Sequence, residues 1–159
     1  MTSGGTIMDK NTGLIFVNRE GLLKGIGTTL KNYERCEVTT LVSNYCNPKD
    51  SDTAIREYSI YVGEEVVLNE KIVLSGKYIG CAPKEGMITI ASAYDLVEPL
   101  FERYSYLEPI MARATMDMFL SDGNDIGEKI IDAAVWYEAY APYTKEILAF
   151  CKTRNKKEN

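Results

Sequence analysis

The sequence predicts an α+β protein made of two similar halves, each with the order strand, helix, strand, strand. Short apolar runs rich in β-branched and aromatic residues alternate with segments of helical spacing. A polar turn follows the second strand of each half, at residues 47–52 and 121–125. Aromatic residues recur at corresponding positions of the halves, which pairs Tyr45 with Phe119 and Tyr61 with Trp136. Because a small unit cannot close a core alone, we expect the copies to pack together and to hold a ligand at their seam.

The first half contains one helix and three strands. A short apolar run at residues 14–17 predicts a strand. Apolar side chains recur every three to four residues over 22–36, which predicts an amphipathic helix. Residues 38–46 are mainly β-branched or aromatic and favour a strand. An alternating run at 56–62 should return as the second strand of a hairpin, which ends at Gly63.

The second half begins with a strand within residues 70–81. Thr89 can cap a helix that runs to about Tyr104, and Pro99 should kink or shorten this helix. Residues 110–120 alternate between an entirely apolar face and a mixed face, and this period of two predicts a strand. Residues 130–137 should return as the last strand of the half.

We therefore divide the chain into three parts. Residues 1–11 form a flexible N-terminus, and residues 12–140 form the duplicated domain, with repeats at about 12–66 and 67–140. Residues 141–159 contain a C-terminal helix, which begins after Pro142, and a solvated basic tail.

The composition argues against several classes of protein. The 159 residues carry a net charge of −5 with a pI near 4.9, which argues against direct binding to nucleic acid. No apolar run approaches the roughly 20 residues that a membrane-spanning helix needs. The first residues lack the features of a secretory signal. We therefore expect a cytoplasmic protein without a membrane partner.

The chain contains no histidine. The commonest general base, the commonest zinc ligand and every Ser-His or Cys-His nucleophile pair are thereby excluded. The four cysteines form no C-x-x-C pair, so we expect free thiols packed as small apolar groups and no metal or other cofactor. These observations predict a protein that is not an enzyme, although carboxylates or tyrosines can act without histidine.

Three segments resemble a known family. Residues 75–78 before a short strand, Ala93 and Tyr94 in the following helix, and residues 116–122 are similar to the effector-binding domain of gyrase-inhibitor-like proteins. The same domain forms the drug-sensing half of multidrug-responsive MerR-type regulators and of some AraC-type regulators. The resemblance covers about residues 12–140, and it rests on the family's "P-x-G-x-Y" entry and its "E-x-Y-L-x-D" strand.

The resemblance implies a pseudo-two-fold α+β fold with helices on one side of an antiparallel sheet. A cleft between the repeats would then bind aromatic compounds that are often cationic or lipophilic. Asp117 stands where the family's pocket glutamate would stand, and Phe119 stands where its tyrosine would stand. This chain departs from the regulators because it has no helix-turn-helix for DNA and adds a helix after Pro142.

Asp117 is the strongest candidate for a ligand-binding residue. A carboxylate between two methionines in mid-strand costs burial energy unless it is paired. It could attract a cation at the base of an aromatic cleft, or it could form a salt bridge with Arg113 or Arg56 on a half-exposed face. Arg113 is itself a further candidate for a ligand-binding residue.

The aromatic candidates surround Asp117 if the repeat model holds. We expect Tyr45, Tyr61, Phe119 and Trp136 to line one face of the sheet, where flat ligands can stack on their rings. Tyr78 can add a hydroxyl group to the same cleft. Ordinary packing in the core or in a dimer is the alternative for each of these side chains.

Together these features predict a stand-alone, non-enzymatic protein that captures aromatic or cationic amphiphilic compounds in the cleft between the repeats. One alternative is a hydrolase that acts on reactive aromatic compounds in the same cleft, with Asp117 positioning water. Another is a protein inhibitor of a DNA-processing enzyme, whose acidic surface mimics nucleic acid. We expect a monomer or a homodimer, with a small ligand as the main partner and a protein as a further option.

Overall fold

The computed structural model describes residues 7–8, 15–47, 49–74, 87–120 and 125–155. The fold is α+β, as predicted, with antiparallel strand pairs and helices. The chain divides into two compact units, one formed by Met1–Ile26 with Ile88–Asn159 and the other by Gly27–Met87. We call these the helical unit and the sheet unit. The boundary predicted between two repeats, at residues 66 and 67, falls inside the sheet unit.

The sheet unit contains three long strands in an antiparallel meander. They are β3 (Val38–Asn47), β4 (Asp50–Val62) and β5 (Glu65–Leu74), in the spatial order β3-β4-β5. The predicted hairpin is therefore confirmed, with Val38 opposite Val62. Gly63 makes the turn into β5 with a φ angle of +61°, a conformation that glycine adopts without steric cost.

Alternate residues of β4 point to opposite faces of the sheet. Ala54, Arg56, Tyr58, Ile60 and Val62 are buried, whereas the residues between them are half-buried. The prediction that a second repeat begins with a strand at about residue 70 is wrong, because residues 70–74 complete β5 and pair with β4. The rest of that predicted strand lies outside the described residues.

The helical unit contains short strands and most of the helices. β1 (Ile7–Met8), β2 (Ile15–Asn18) and β6 (Met87–Thr89) form a small sheet in the order β1-β2-β6. The first helix, α1 (Arg19–Tyr33), begins in this unit, and the boundary with the sheet unit falls between its residues 26 and 27. The strand predicted at residues 14–17 and the helix predicted at 22–36 are therefore confirmed.

Five further α-helices follow within the described residues. They are α2 (Ile90–Val97), α3 (Leu107–Leu120), α4 (Ile126–Val135), α5 (Tyr137–Tyr140) and α6 (Thr144–Asn155). Thr89 caps α2 as predicted, because its hydroxyl oxygen accepts a hydrogen bond from the Ser92 backbone nitrogen at 3.2 Å. A short 3₁₀ helix that contains Pro99 follows α2, so the predicted shortening is confirmed. The predicted C-terminal helix after Pro142 corresponds to α6.

The strand predicted at residues 110–120 is wrong, because these residues lie in α3. Buried side chains recur along α3 at spacings of three and four residues: Leu107, Ile110, Met111, Ala114, Thr115 and Met118. The apparent alternation arose because a mostly apolar helix also carries apolar residues at every second position. Leucine, alanine and methionine, which are frequent in α3, favour a helix. Part of the segment that resembles the family's strand is therefore helical.

The strand predicted at residues 130–137 is wrong as well, because α4 covers most of this range. Asp125 caps α4, since its side chain accepts a hydrogen bond from the Gly127 backbone nitrogen at 2.6 Å. Ile126, Ile130 and Ala133 are buried at helical spacing. The second half therefore has helices where two strands were predicted. A duplicated unit, a pseudo-two-fold axis and a cleft between repeats are not found in the described part of the chain.

Backbone atoms of α1 and α4 approach each other closely inside the helical unit. A Cβ atom on Gly127 would collide with the carbonyl oxygen of Gly21, and one on Gly25 would lie 2.8 Å from the Cα atom of Gly127. Glycine at these positions allows the two helices to meet without side chains between them. Within the described ranges, no helix combines the length and apolar character needed to cross a bilayer.

Candidate functional site

A surface pocket of about 440 Å³ lies among α3, α4, α5 and the 3₁₀ turn after α5, entirely within the helical unit. Its walls include Arg113 and Asp117 from α3, Asp132 from α4, and Trp136 at the junction of α4 and α5. Three of the seven predicted site residues therefore line one pocket. We call it the α3–α5 pocket.

Asp117 and Arg113 form an ion pair on the surface of α3. Arg113 Nε lies 3.3 Å from Asp117 Oδ1, and the two residues are one helical turn apart. The predicted salt bridge between Asp117 and Arg113 is therefore confirmed. The other predicted partner, Arg56, instead donates a hydrogen bond from Nε to Asn44 Oδ1 at 2.8 Å in the sheet unit.

Tyr140 forms a fixed wall of the α3–α5 pocket. Its hydroxyl group donates a hydrogen bond to the backbone oxygen of Ala133, and its ring is almost fully buried. The guanidinium carbon of Arg113 lies 5.3 Å from the centre of this ring, which is within the range of a cation–π contact. Arg113 is thus held from two sides, by the carboxylate of Asp117 and by the face of Tyr140.

Trp136 lies at the open side of the pocket, between two helices. Helix α4 ends at Val135, and Trp136 departs from helical dihedral angles with φ −109° and ψ 20°. Its backbone nitrogen still donates a hydrogen bond to Ala133 at 3.2 Å, so the backbone at this break is fixed. The indole side chain is 68% exposed, and Tyr143 beside the pocket is exposed as well.

The charges that line the α3–α5 pocket are predominantly negative. Asp117 and Asp132 supply two carboxylates, and Arg113 supplies one guanidinium. Asp132 is exposed on α4 and one helical turn before Trp136. The pocket therefore combines an exposed indole with a nearby surplus of negative charge.

Phe119 does not line this pocket. Its ring packs against the ring of Phe150 on α6, with centroids 6.0 Å apart and planes inclined by 69°. In the strand that the sequence suggested, Asp117 and Phe119 would share a face, whereas two residues on a helix are rotated by about 200°. The helix therefore separates the predicted carboxylate from the predicted aromatic wall.

Tyr45 and Tyr61 belong to the sheet unit. Tyr45 donates a hydrogen bond from its hydroxyl group to Glu57 Oε1 at 3.1 Å, and hydrogen bonds from Asn69 and Tyr45 lower the pKa of the Glu57 carboxyl. Tyr45 faces Ile55, so it shares a face of the sheet with Tyr61 but lies about 20 Å along β4 from it. The two tyrosines do not form a shared wall. The remaining predicted residue, Tyr78, lies outside the described residues.

The sequence interpretation missed five residues of the α3–α5 pocket, two of which are the alanines Ala133 and Ala139. Asp132, Tyr140 and Tyr143 line it together with Trp136. Residues 132, 136, 140 and 143 recur at spacings of four, four and three, which is the signature of one helical face. The pattern becomes visible once residues 126–143 are treated as helical rather than as a strand and a loop.

A second pocket of about 270 Å³ lies between α2, α3 and α6. Tyr94 and Phe101 line it with rings in an edge-to-face arrangement, and their centroids are 6.4 Å apart. Burial raises the pKa of Tyr94, and burial raises the pKa of the Cys151 thiol to about 11. Cys151 is therefore protonated near neutral pH and is a packing residue rather than a nucleophile.

Within the described ranges, no cluster of three or more cysteine, aspartate or glutamate side chains has the arrangement of a metal site. No protein-family model matches the chain, and no curated protein or solved structure matches it. The inference about function therefore rests on the geometry of the pockets.

Proposed function

We propose that the protein binds a small planar molecule that carries a positive charge, and that the molecule occupies the α3–α5 pocket. The observation that carries this proposal is the exposed indole of Trp136 beside two carboxylates in one cavity. The volume of about 440 Å³ lies within the range of about 300–1,000 Å³ that is usual for small-molecule sites. The ligand class is the one expected from the sequence, but the site lies within one unit.

The exposed ring of Trp136 supports the aromatic part of the proposal. A large apolar side chain at the mouth of a pocket gains from any flat molecule that covers it, because apolar surface leaves water. Stacking between aromatic rings adds about 0.5–1.5 kcal/mol beyond this burial. The backbone hydrogen bond of Trp136 to Ala133 fixes the main chain from which the indole projects, so binding has to order the side chain alone.

The ionic groups support the positive charge of the ligand. Asp117 and Arg113 neutralise each other as an ion pair, so the net negative charge of the residues that line the pocket comes from Asp132. The pocket also shows a cation held by an aromatic face, since Arg113 lies over Tyr140. A ligand cation can make the same type of contact with Trp136, which has the aromatic ring that favours cations most.

Two optical measurements test this proposal. Trp136 is the single tryptophan of the chain, so quenching of its emission reports directly on this pocket. We expect a planar acridinium dye to quench the emission in a saturable manner, and a planar anionic dye of similar size to bind more weakly. Fluorescence polarisation of the acridinium dye extends the measurement to variants that lack the indole.

We expect Trp136→Ala and Asp132→Asn each to weaken dye binding by about two- to tenfold. Glu128→Gln is the matched control, because it removes an exposed carboxylate from the same helix outside the pocket. Equal dye affinity in all four proteins, or a preference for the anionic dye, would contradict the proposal. Neither the hydrolase nor the inhibitor of a DNA-processing enzyme is favoured by a specific observation in the described residues.

A further inference from the structure

Strand β3 is an uncharged edge strand. Its ten residues, Val38–Asn47, contain no lysine, arginine, aspartate or glutamate and no proline. Among the described strands, β3 pairs with β4 along one side alone. Its other side therefore presents backbone N–H and C=O groups in an extended row, which is a template for another strand.

The opposite edge of the same sheet differs in its charges. Strand β5 carries Glu65, Glu70 and Lys71, and charged residues on an edge strand discourage pairing with another chain. The chain as a whole has a net charge of −5, so two copies repel each other at most orientations. The ten residues of β3 carry no charge, so two copies of this strand can approach each other without repulsion between their own side chains. This favours a second copy over a partner that needs complementary charges.

Apolar side chains accompany the open edge of β3. Leu41 is 51% exposed and Tyr45 is 37% exposed, and both point to the same face of the sheet because four residues separate them. Val42, on the other face, is exposed as well. Large apolar side chains beside unpaired backbone groups are typical of a strand that is covered in the assembled protein.

We propose that β3 pairs antiparallel with β3 of a second copy and forms a symmetric homodimer with a continuous six-stranded sheet. A two-fold axis beside Ser43 places Leu41 opposite the partner's Tyr45 and, by symmetry, Tyr45 opposite the partner's Leu41. This register joins the two largest exposed apolar side chains of the strand in cross-strand pairs. Val42 then faces the partner's Asn44, and β3 itself contributes no charged side chain to the paired region.

Sedimentation velocity over a concentration series tests the dimer. We expect the wild type to sediment as a dimer that dissociates on dilution, and Leu41→Lys to sediment as a monomer, because it puts a charged side chain opposite the partner's Tyr45 and a lysine on an edge strand discourages pairing. Val73→Lys is the matched control, since Val73 is 52% exposed on β5 of the same sheet. The control should keep the wild-type dimer.

Three outcomes of this experiment would overturn the proposal. They are a wild type that stays monomeric throughout the series, a Leu41→Lys variant with the wild-type dissociation constant, and growth of the wild type beyond a dimer. Circular dichroism of both lysine variants verifies that the sheet is intact. Loss of the dimer leaves the tryptophan-quenching assay of the α3–α5 pocket unchanged, because the two features belong to different units.

Disulfide trapping tests the register. In a background with C36S, C46S and C81S, Ser43→Cys places two thiols face to face across the two-fold axis, within the distance that a disulfide spans. We expect rapid intermolecular cross-linking of this variant under mild oxidation and little cross-linking of Val73→Cys in the same background. Equal cross-linking of the two variants, or none at Ser43→Cys in a protein that sediments as a dimer, would overturn the register.

Discussion

Single residues decide how closely the elements of the helical unit can approach. Gly127 is the second residue of α4, and its Cα atom faces the backbone of α1 at Gly21 and Gly25. The side chain of Asp125 lies in the same contact between α1 and α4, because it caps α4 and lies beside Gly21. The contact therefore combines a helix cap with a backbone approach that only glycine permits.

We expect Gly127→Ala to lower the free energy of unfolding by about 1–3 kcal/mol, because a Cβ atom there meets backbone rather than a movable side chain. Alanine favours a helix over glycine by about 1 kcal/mol, so any net loss of stability comes from the steric contact of the added Cβ atom. Urea unfolding followed by circular dichroism measures the change. Glu128→Ala, at an exposed position of the same helix, is the control and should stay within about 0.5 kcal/mol of the wild type. A stabilised Gly127→Ala would show that the two helices can separate at no cost.

Burial also sets the reactivity of the cysteines. Cys151 is buried, donates a hydrogen bond from Sγ to the Ala112 oxygen at 3.6 Å, and has a pKa raised to about 11. The prediction of packed thiols is wrong for Cys36 and Cys46, which are exposed. At neutral pH we expect iodoacetamide to alkylate Cys36 and Cys46 in the folded protein and to reach Cys151 only after unfolding. Peptide mass spectrometry measures this order, and early labelling of Cys151 would contradict the structure.

The same thiol makes stability depend on alkaline pH. A pKa of about 11 in the folded state against 9.0 for the unperturbed thiol means that the unfolded chain loses this proton first. The contribution of Cys151 is complete below pH 9 and is lost as the pH rises from about 9 to 11. Burial raises the pKa of Tyr94 too, which adds in the same direction. We expect Cys151→Ala to flatten the decline of unfolding free energy over this range, as urea unfolding can measure.

At the scale of elements, the sequence predicts structure best where one periodicity dominates. The hairpin of β3 and β4 and the helix cap at Thr89 each have a local signal in the sequence, and the structure contains both. Helix α3 was wrongly predicted as a strand, because its buried face is so broad that periods of two and 3.6 fit its apolar residues equally well. The error carried into the predicted site, since a strand would place Phe119 on the same face as Asp117, together with Trp136.

The contact between Phe119 on α3 and Phe150 on α6 can be tested by mutation. Phe119 is half-buried, so we expect Phe119→Ala to lower the free energy of unfolding by about 1–3 kcal/mol, less than the roughly 3–5 kcal/mol typical of a fully buried phenylalanine. A double-mutant cycle with Phe150→Ala should give a coupling of about 0.5–1.5 kcal/mol. Dye affinity at the α3–α5 pocket should not change, and additivity of the two substitutions would show that the rings do not interact.

At the scale of the whole molecule, one unit is interrupted in sequence by the other. The helical unit combines residues 1–26 with residues 88–159, and the sheet unit lies between them in the chain. No local pattern could predict this division, because it depends on contacts between segments more than 60 residues apart. The net negative charge of the chain, in contrast, follows from composition alone. It is relevant both to the positive charge proposed for the ligand and to the pairing proposed for the uncharged strand β3.

The interrupted unit predicts that a substitution near the N-terminus weakens helices near the C-terminus. Ile15, in β2, is almost fully buried, and we expect Ile15→Ala to cost about 2–5 kcal/mol. Hydrogen exchange should then accelerate at amides of α3 and α4, because these helices belong to the same unit as β2. The control is Ile72→Ala in β5 of the sheet unit. Acceleration confined to residues 7–26 in the Ile15 variant would contradict the assignment of units.

The division of the chain also orders the events of synthesis on the ribosome. Residues 38–74 leave the exit tunnel as one block of neighbouring hairpins, so the meander can collapse while the rest of the chain is still being translated. Residues 15–26 emerge earlier, yet α2 and α4, which pack against them, are translated after the sheet unit. A nascent chain therefore carries an apolar segment around Ile15 and Leu22 that must remain shielded until α2 and α4 arrive, and chaperone dependence should be concentrated in that interval.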